Sequence, residues 1–332
     1  MALKRSERVR MNQHIPKLDL SKFVSGDENS KARFVHELGK GLEEFGFVSI
    51  VGHGIERSLS RAAYEASAAF FGLPDAVKCQ YESRANGRQR GYTPLGKERA
   101  KDHVHADLKE FWHTGAQDAV GLPQNIWPDE ITTFKPDMTA LYNALHEVGV
   151  VLATAIEEYL CIAPGCLSNT LSGGNTVLRS IHYPKPIEEI PGRLWAAPHE
   201  DINLMTLLIE ASGAGLEILT RDNQWLAVDC APSEIILDTG DMMARLTNGL
   251  LPAVTHRVVA PTHSPGSRYS MPFFIHPAPD TVLKPLKSRR IPSARGTAHL
   301  TASEYLNERL RENGVLTVDF DPLDDELTDL DE

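Results

Sequence analysis

The segment Pro198-His199-Glu200-Asp201-Ile202-Asn203-Leu204-Met205-Thr206 places an imidazole and a carboxylate two residues apart in a stretch that we interpret as a strand. Residues i and i+2 of a strand project from the same face, so His199 and Asp201 can bind one ion together. A second histidine, His256, follows downstream in the apolar stretch Ala253-Val254-Thr255-His256-Arg257-Val258-Val259. Two histidines and one carboxylate form the facial triad that leaves coordination positions open on non-haem iron(II). This set therefore predicts an iron(II) site.

Apolar and polar residues alternate through most of residues 177–275, a pattern that favours short strands. The predicted strands are Val177–Tyr183, Leu204–Glu210, Leu216–Leu219, Trp225–Val228, Glu234–Leu237, Met242–Leu246, Val254–Val259 and Arg268–Ile275. About eight short antiparallel strands at this spacing are typical of a jelly roll. We therefore expect a mainly β protein with α-helices, whose core is a cupin-like double-stranded β-helix.

The N-terminal half has a different, mostly helical pattern. Ile15–Leu20 and Phe47–Val51 read as strands, whereas 30–45 and 57–71 have the apolar spacing of helices. A longer apolar stripe runs from Met138 to Ile156, and we expect Asp137 to cap that helix. This helical region should pack against the β-helix.

These patterns divide the chain into five parts. We expect a flexible leader (1–14) and a helical N-terminal region that contributes strands to the core (15–162). The catalytic double-stranded β-helix (175–285) should follow, and then a C-terminal helix (300–315) and a disordered acidic tail (319–332).

The net charge of −11 is concentrated at the C-terminal end of the 332-residue chain. Residues 319–332 contain eight acidic residues and no Lys or Arg, which leaves a net charge of −3 for the rest. A hydrophobic content of 42% and a charged content of 24% are ordinary for a soluble globular protein. The sequence has no basic stripe with interleaved aromatic residues, so we expect no nucleic-acid partner.

The cysteines and the N-terminus bear on the compartment. The four cysteines lack metal-type spacing and are typical of small apolar residues in a reducing environment. No continuous apolar run in the sequence is long enough to span a bilayer, and the N-terminus lacks an apolar signal core. We therefore expect a cytoplasmic protein without membrane association. Met11 is an alternative start, and the sequence leaves the oligomeric state open.

The metal assignment depends on context as well as residue type. His256 has Val254 and Val258 as same-face neighbours, so its imidazole should face the interior, where it needs a polar partner. A second His-x-Asp pair, His105 and Asp107, lies in the weakly patterned region 83–107, which we expect to form surface loops. We reject that pair as the metal site. The ligand set alone leaves zinc open as well as iron.

An anion clamp is predicted just downstream of His256. Arg268 and Ser270 share one face of a predicted strand, and a guanidinium beside a hydroxyl inside a barrel suits a carboxylate. Tyr183 closes the first strand of the β-helix and can contribute a hydroxyl to the same anion. The alternative is that Arg268 pairs with an internal acid such as Glu210 or Glu217.

In the order and spacing of its motifs, the chain resembles the isopenicillin N synthase-like family of iron(II) and 2-oxoglutarate-dependent oxygenases. The resemblance runs from Ile15 to about Pro277. The motifs that carry it are Phe45-Gly46-Phe47, Gly52-His53-Gly54-Ile55, Arg90-Gly91-Tyr92, Asp107-Leu108-Lys109-Glu110-Phe111-Trp112, Tyr183-Pro184, the pair His199 and Asp201, Gly240-Asp241, Leu246-Thr247-Asn248-Gly249, His256-Arg257-Val258 and Arg268-Tyr269-Ser270.

This resemblance implies a role for each matched residue. His199, Asp201 and His256 would bind iron(II), and Arg268 and Ser270, with Tyr183 near them, would hold the distal carboxylate of 2-oxoglutarate. His53, Asp241 and Asn248 would be scaffold residues. The implied activity uses dioxygen and couples oxidative decarboxylation of 2-oxoglutarate, to succinate and carbon dioxide, with oxidation of a small molecule, most often hydroxylation.

Two other functions stay open on the sequence. Isopenicillin N synthase itself uses a similar Arg-x-Ser pair for its substrate's carboxylate, so this pair does not identify the cosubstrate. Glu200 and Leu204-Met205-Thr206 also resemble that enzyme, which leaves a 2-oxoglutarate-independent iron oxidase as the alternative. A non-catalytic metal-dependent sensor is the second alternative.

The primary substrate and the choice among hydroxylation, desaturation and ring closure are also open. Candidate residues for the substrate pocket are Arg90, Tyr92, Phe111, Leu208, Phe273 and Phe274. All six can equally be ordinary core residues. Arg90 is expected near the mouth of the pocket, where a cation could select an acidic substrate.

Overall fold

The structure is a computed structural model. The structure describes residues 14–84, 87–98, 106–117, 121–185, 194–260, 266–293 and 299–312. The acidic tail predicted for 319–332 and all but the last residue of the leader predicted for 1–14 lie outside the described residues.

Twelve strands form two sheets. The strands are β1 (Lys17–Asp19), β2 (Phe47–Val51), β3 (Gly91–Thr93), β4 (Glu110–Gly115), β5 (Val177–Tyr183), β6 (Ala196–His199), β7 (Met205–Ala211), β8 (Leu216–Leu219), β9 (Trp225–Ala227), β10 (Ile235–Thr239), β11 (His256–Val258) and β12 (Arg268–Ile275). The larger sheet has the order β1-β2-β10-β7-β12-β5-β4-β3, and the smaller sheet has the order β6-β11-β8-β9. Among the strand pairs of the described residues, β1–β2 is parallel and the others are antiparallel. Because residues of both sheets line one interior cavity, the sheets form the two walls of the predicted double-stranded β-helix.

The helices confirm the N-terminal patterns. They are α1 (Ser21–Val24), α2 (Glu28–Phe45), α3 (Arg57–Phe71), α4 (Asp75–Lys78), α5 (Phe134–Leu160), α6 (Asp241–Leu246) and α7 (Ala302–Glu312). Asp27 caps α2 by accepting a hydrogen bond from the backbone N–H of Ser30 at 2.7 Å. Gly46 ends α2 with φ of +66°, a left-handed conformation that leads the chain directly into β2. The helix α7 lies within the range 300–315 that was predicted for a C-terminal helix.

The long helix α5 supports the larger sheet. Its predicted apolar stripe from Met138 to Ile156 is buried, and Gly149 lets it approach Ile275 of β12 closely. By length and composition alone, α5 could cross a membrane, although polar residues such as Glu147 interrupt its apolar run. Its apolar stripe is buried in the protein, as in the core helix of a globular fold. Asp137 was predicted to cap α5 but lies inside its first turn, because the helix already begins at Phe134.

Two segments differ from the predicted pattern. The residues predicted as a strand at Met242–Leu246 belong to the helix α6, because burying Met242, Met243 and Leu246 together requires helical rather than alternating spacing. The region 83–107 was predicted to be surface loop, yet it contains the buried strand β3, which pairs with β4. A buried edge hairpin therefore replaces part of the expected loop.

Replacing Phe273 tests the packing of α5 on the larger sheet. Phe273 is fully buried, and its ring meets that of Tyr142 edge-on at 4.9 Å. We expect Phe273→Ala to lower the free energy of unfolding by about 3–5 kcal/mol, as measured by denaturant titration. The exposed Leu95 provides the control, since Leu95→Ala should change stability by less than about 0.5 kcal/mol. Equal effects of the two substitutions would contradict the described packing.

Candidate metal centre and adjoining cavities

The two predicted histidine ligands lie opposite each other in the smaller sheet. β6 and β11 are antiparallel, and His199 is the register partner of His256. The centroids of their imidazole rings are 4.4 Å apart. Residues directly opposite in an antiparallel pair project on the same side, so strand pairing alone brings both rings together.

Asp201 completes the group from a loop rather than from the strand. β6 ends at His199, so the expected strand alternation does not place Asp201; the loop after β6 does. One carboxylate oxygen, Oδ1, lies 3.9 Å from Nε2 of His199 and 3.7 Å from Nε2 of His256. The other oxygen accepts a hydrogen bond from the Thr206 hydroxyl. The prediction that the three side chains meet is confirmed, although the reason given for Asp201 was wrong.

The donor set fits a divalent metal ion. One ligand atom from each residue lies within 4.8 Å of the others. The Nδ1 atoms of His199 and His256 donate to the carbonyls of Ala197 and Val254 at 2.7 and 3.1 Å, which leaves both Nε2 lone pairs for a metal. Burial, with a further contribution from His256, lowers the pKa of His199 to about 4, so its imidazole is neutral as a ligand must be. Two imidazoles and a carboxylate are the ligands of a facial triad.

Backbone contacts hold the loop that carries Asp201. The N–H of Asp241 donates to the carbonyl of Asp201 at 2.8 Å. A side chain at Gly240 would place its Cβ 2.3 Å from the carbonyl oxygen of Asn203, so the close approach requires glycine. His53 lies elsewhere, between the backbone of Ile55 and that of Ser233. These placements agree with the scaffold roles that the family resemblance implied for Asp241 and His53.

A narrow cavity of about 70 Å³ extends from the three ligand residues along the larger sheet. Arg268, Ser270 and Tyr183 all line it, as predicted for an anion clamp. Arg268 and Tyr183 are register partners on β12 and β5, and the guanidinium carbon lies 5.0 Å from the centre of the Tyr183 ring. The cavity therefore has the metal group at one end and a cation with two hydroxyls along its wall.

Arg268 forms no ion pair with any acidic residue that the structure describes. Its Nε donates to the carbonyl of Gly213 at 3.0 Å, whereas its buried Nη1 has no hydrogen-bond partner among the described residues. The two acids considered as partners are engaged elsewhere, Glu210 with Arg57 and Glu217 with Arg257. A buried guanidinium with a spare donor is costly unless it meets an anion.

A wider cavity of about 240 Å³ opens on the other side of the metal group. Of the six candidate pocket residues, Phe274 lines both cavities and Leu208 lines the narrow one. Tyr92 and Phe273 belong instead to the core around α5, so they were wrong as pocket residues. Phe111 lines neither cavity but packs against Arg179, which lines both.

The prediction for Arg90 is wrong. Its side chain is fully buried rather than at the mouth of a pocket, and it lies against the backbone of Gly115. Its Nη2 donates to Oδ1 of Asn175 at 2.9 Å. Burial lowers the pKa of Arg90 to about 10, which still leaves it charged at neutral pH. It therefore positions Asn175, which lines the wider cavity, while Arg90 itself does not line that cavity.

Sequence reasoning missed several charged residues that line the cavities. Lys109 and Arg179 border both of them, and Glu98 and Asp107 border the wider one. Asp107 was assigned to the surface with His105; His105 lies outside the described residues, but Asp107 is buried and accepts from the N–H of Ala197 at 3.0 Å. The alternation Val177, Arg179, Ile181, Tyr183 could have indicated that Arg179 faces the same interior as the predicted clamp.

Asp238 of β10 is a further unpredicted neighbour of the narrow cavity. It is buried, and its Oδ1 has no hydrogen-bond partner within the described part of the chain. Burial and the nearby Asp201 raise the pKa of Asp238 well above its usual value. A neutral carboxyl group here can donate a hydrogen bond into the cavity.

Gly240 provides a test of how the Asp201 loop is held. A Cβ at this position would lie 2.3 Å from Asn203 O and 2.8 Å from Asp201 O, so Gly240→Ala should displace the carboxylate. We expect the affinity for nickel(II), measured by calorimetry, to fall about 10- to 100-fold. Gly213→Ala is the control, because a Cβ there meets open space. Unchanged nickel affinity in Gly240→Ala would mean that the loop does not position Asp201.

Two sequence families match the chain. Residues 15–130 match the family described as "non-haem dioxygenase in morphine synthesis N-terminal". Residues 174–277 match the family described as "2OG-Fe(II) oxygenase superfamily", a range that contains all three candidate metal ligands and the candidate clamp.

Individual relatives cover nearly the same length. The 2-oxoglutarate-dependent dioxygenase frbA of Dothideomycetidae sp. is 30% identical over 298 residues, which are 82% of this chain and 88% of that protein. A 2OG-Fe(II) oxygenase family protein from Caulobacter crescentus is 40% identical, with a TM-score of 0.79 and coverage of 90% of this chain and 98% of that one. A full-length Neurospora crassa protein solved with alpha-KG and thymine is 26% identical, with a TM-score of 0.81 and coverage of 90% and 96%.

Proposed function

Because the chain belongs to the 2OG-Fe(II) oxygenase superfamily, we propose that His199, Asp201 and His256 hold its iron(II) and that a small molecule is oxidised in the wider cavity. The protein is a 2-oxoglutarate-dependent dioxygenase by this membership. The alternatives of a 2-oxoglutarate-independent oxidase and of a non-catalytic sensor are therefore not retained. Bound iron(II) supplies the activation of dioxygen that the oxidation needs.

The observation that carries the residue assignment is the unpartnered Nη1 of Arg268. This donor is buried in a narrow cavity that reaches the three metal ligands. 2-Oxoglutarate is a dicarboxylate, so one end can reach a metal while its other carboxylate meets Arg268. The planar guanidinium suits such an anion, and the hydroxyls of Ser270 and Tyr183 line the same wall.

The strands keep the two ends of the cosubstrate site at a fixed separation. Arg268 and Ser270 are on β12 and Tyr183 is on its neighbour β5, whereas two of the metal ligands are on the facing smaller sheet. Apolar side chains such as Leu208 and Ile236 line the space between them and limit the entry of water. The rigid walls thus position the cosubstrate, and the wider cavity is left for the molecule to be oxidised.

A small-molecule substrate is supported by the size of the wider cavity and by one structural relative. The cavity of about 240 Å³ begins at the metal ligands and is lined by Phe274 and by residues of α7. The Neurospora crassa protein of the same fold was solved with alpha-KG and thymine. We infer that this chain also oxidises a small organic molecule, with hydroxylation as the expected outcome.

Binding of 2-oxoglutarate to variants of Arg268 tests the proposed clamp. Hydrogen bonds to charged groups contribute about 1.5–3 kcal/mol, so Arg268→Gln should raise the dissociation constant for 2-oxoglutarate about 10- to 150-fold. The measurement is a calorimetric titration of nickel(II)-loaded protein, in which no turnover occurs.

Arg257→Gln is the matched control for loss of one positive charge. Arg257 pairs with Glu217 at 2.7 Å and stacks on Trp225 at 3.9 Å, so it does not face the narrow cavity. The affinity of the Arg257→Gln variant for 2-oxoglutarate should stay within about twofold of that of the unmodified protein. Similar losses in both variants would show that Arg268 acts only through overall charge and not as the clamp.

A further inference from the structure

The wider cavity contains many charged side chains, yet their charges nearly cancel. Three cations and four acids line it in the described part of the chain: Lys109, Arg179, Arg309, Glu98, Asp107, Glu200 and Asp201. Asp201 belongs to the metal group, and Arg309 pairs with Asp241 at 3.3 Å and with Glu312 at 2.9 Å. Lys109 and Arg179, the two cations that line both cavities, therefore decide whether the wider cavity attracts an acid.

Glu98 joins these two cations. Its two carboxylate oxygens each lie 3.2 Å from Nη1 of Arg179, and Oε2 lies 2.6 Å from Nζ of Lys109. Lys109 also donates to Oδ2 of Asp107 at 2.8 Å. Burial alone would raise the pKa of Glu98, but the charges of Arg179 and Lys109 outweigh it and hold the pKa well below its usual value. The buried Lys109 and the partly buried Arg179 are thus paired with the carboxylates of Glu98 and Asp107.

Arg179 is fixed in this arrangement from its other side. Its Nε donates to Nε2 of His113 at 2.6 Å, and the opposite ring nitrogen of His113 donates to the carbonyl of Arg88. Burial and the neighbouring Arg179 lower the pKa of His113 well below its usual value, so the imidazole is a neutral acceptor. The guanidinium carbon lies 4.3 Å from the ring centre of Phe111 and 5.0 Å from that of Phe274. These contacts hold the guanidinium in the cavity wall beside Glu98.

Another part of the polar wall is formed by uncharged side chains. Because Arg90 donates to Oδ1 of Asn175, the amide of Asn175 donates to Oε1 of Gln89 at 2.8 Å. This relay leaves the Nε2 group of Gln89 as a donor in the cavity wall. Burial lowers the pKa of His276 to about 4, and its Nδ1 donates to the carbonyl of Phe274, so its Nε2 is a neutral acceptor. Such groups match carbonyl and N–H groups of a ligand.

We propose that the wider cavity selects an uncharged, carbonyl- or amide-bearing substrate, and that Glu98 is the specificity-determining residue that excludes acids by neutralising Arg179 and Lys109. This inference rests on the proposed function, which makes the wider cavity the substrate site. The same difference in charge would direct 2-oxoglutarate to the narrow cavity and the substrate to the wider cavity. The narrow cavity contains Arg268, which has no carboxylate partner among the described residues, and so accepts a dianion. An acid in the wider cavity would add a charge that meets no unpaired cation among the described lining residues.

Benzamide and benzoate are the probes for this proposal, because they share one shape and differ in charge. Each is titrated by calorimetry into nickel(II)-loaded protein saturated with 2-oxoglutarate. The unmodified protein should bind benzamide more tightly than benzoate. Glu98→Gln keeps the shape of the side chain but leaves Asp107 as the single acid beside Arg179 and Lys109, so one positive charge is no longer matched. The dissociation constant for benzoate should therefore fall at least tenfold, while that for benzamide changes less than threefold.

Two controls separate charge from shape and from overall electrostatics. Glu98→Asp keeps the carboxylate and should keep the preference for benzamide. Glu37→Gln removes one negative charge from the exposed face of α2, far from the cavity, and should also keep it. If Glu98→Gln fails to bind benzoate, or shows the same ratio of affinities as the unmodified protein, the proposal is overturned. Retention of the preference for benzamide in a Glu98→Ala variant would overturn it as well.

The same titrations distinguish this proposal from the proposed function. Binding of 2-oxoglutarate to the nickel(II)-loaded protein is measured before either probe is added. Failure of the unmodified protein to bind 2-oxoglutarate would contradict the clamp and the cosubstrate site. Normal 2-oxoglutarate binding, with a probe preference that Glu98→Gln does not change, would remove only the charge selection.

Discussion

The antiparallel pairing of β6 with β11 is the constraint on which the site depends. It sets His199 opposite His256 and turns both imidazoles toward the interior. Asp201 can then reach both Nε2 atoms from a loop only because the Gly240 turn lies against that loop without a side chain. The larger sheet faces this group with Arg268 at a separation fixed by strand packing. One register thus determines where a metal, a cosubstrate and a substrate can lie relative to one another.

The two cavities beside the three candidate metal ligands differ in whether their cations are paired with acids. Arg268 keeps a buried donor without a partner in the described structure, whereas Arg179 and Lys109 are matched by Glu98 and Asp107. In a low-dielectric interior an unmatched cation attracts an anion strongly, and a matched one does not. On the proposed assignment, the dianionic cosubstrate binds beside Arg268, and an uncharged molecule is accommodated in the wider cavity.

Sequence reasoning located the parts of the site that short-range patterns encode. Strand alternation placed Arg268 with Ser270, and it could also have placed Arg179, because residues two apart in a strand share a face. Strand alternation was wrong for residues 242–246, because three apolar residues there are buried together by a helix, and this burial depends on tertiary contacts. It also failed for Arg90, since no local pattern shows whether a lone arginine in a weakly periodic stretch is buried. Glu98 pairs with residues from two other parts of the chain, a contact visible only in the fold.

The most direct test of the account is an anaerobic titration of iron(II)-loaded protein with 2-oxoglutarate, followed by visible absorption. If the triad holds iron at one end of the narrow cavity and the clamp holds the cosubstrate at the other, a metal-to-ligand charge-transfer band should grow and saturate at one equivalent. Iron that binds to the protein without producing this band as 2-oxoglutarate is added would contradict the assignment of the two cavities.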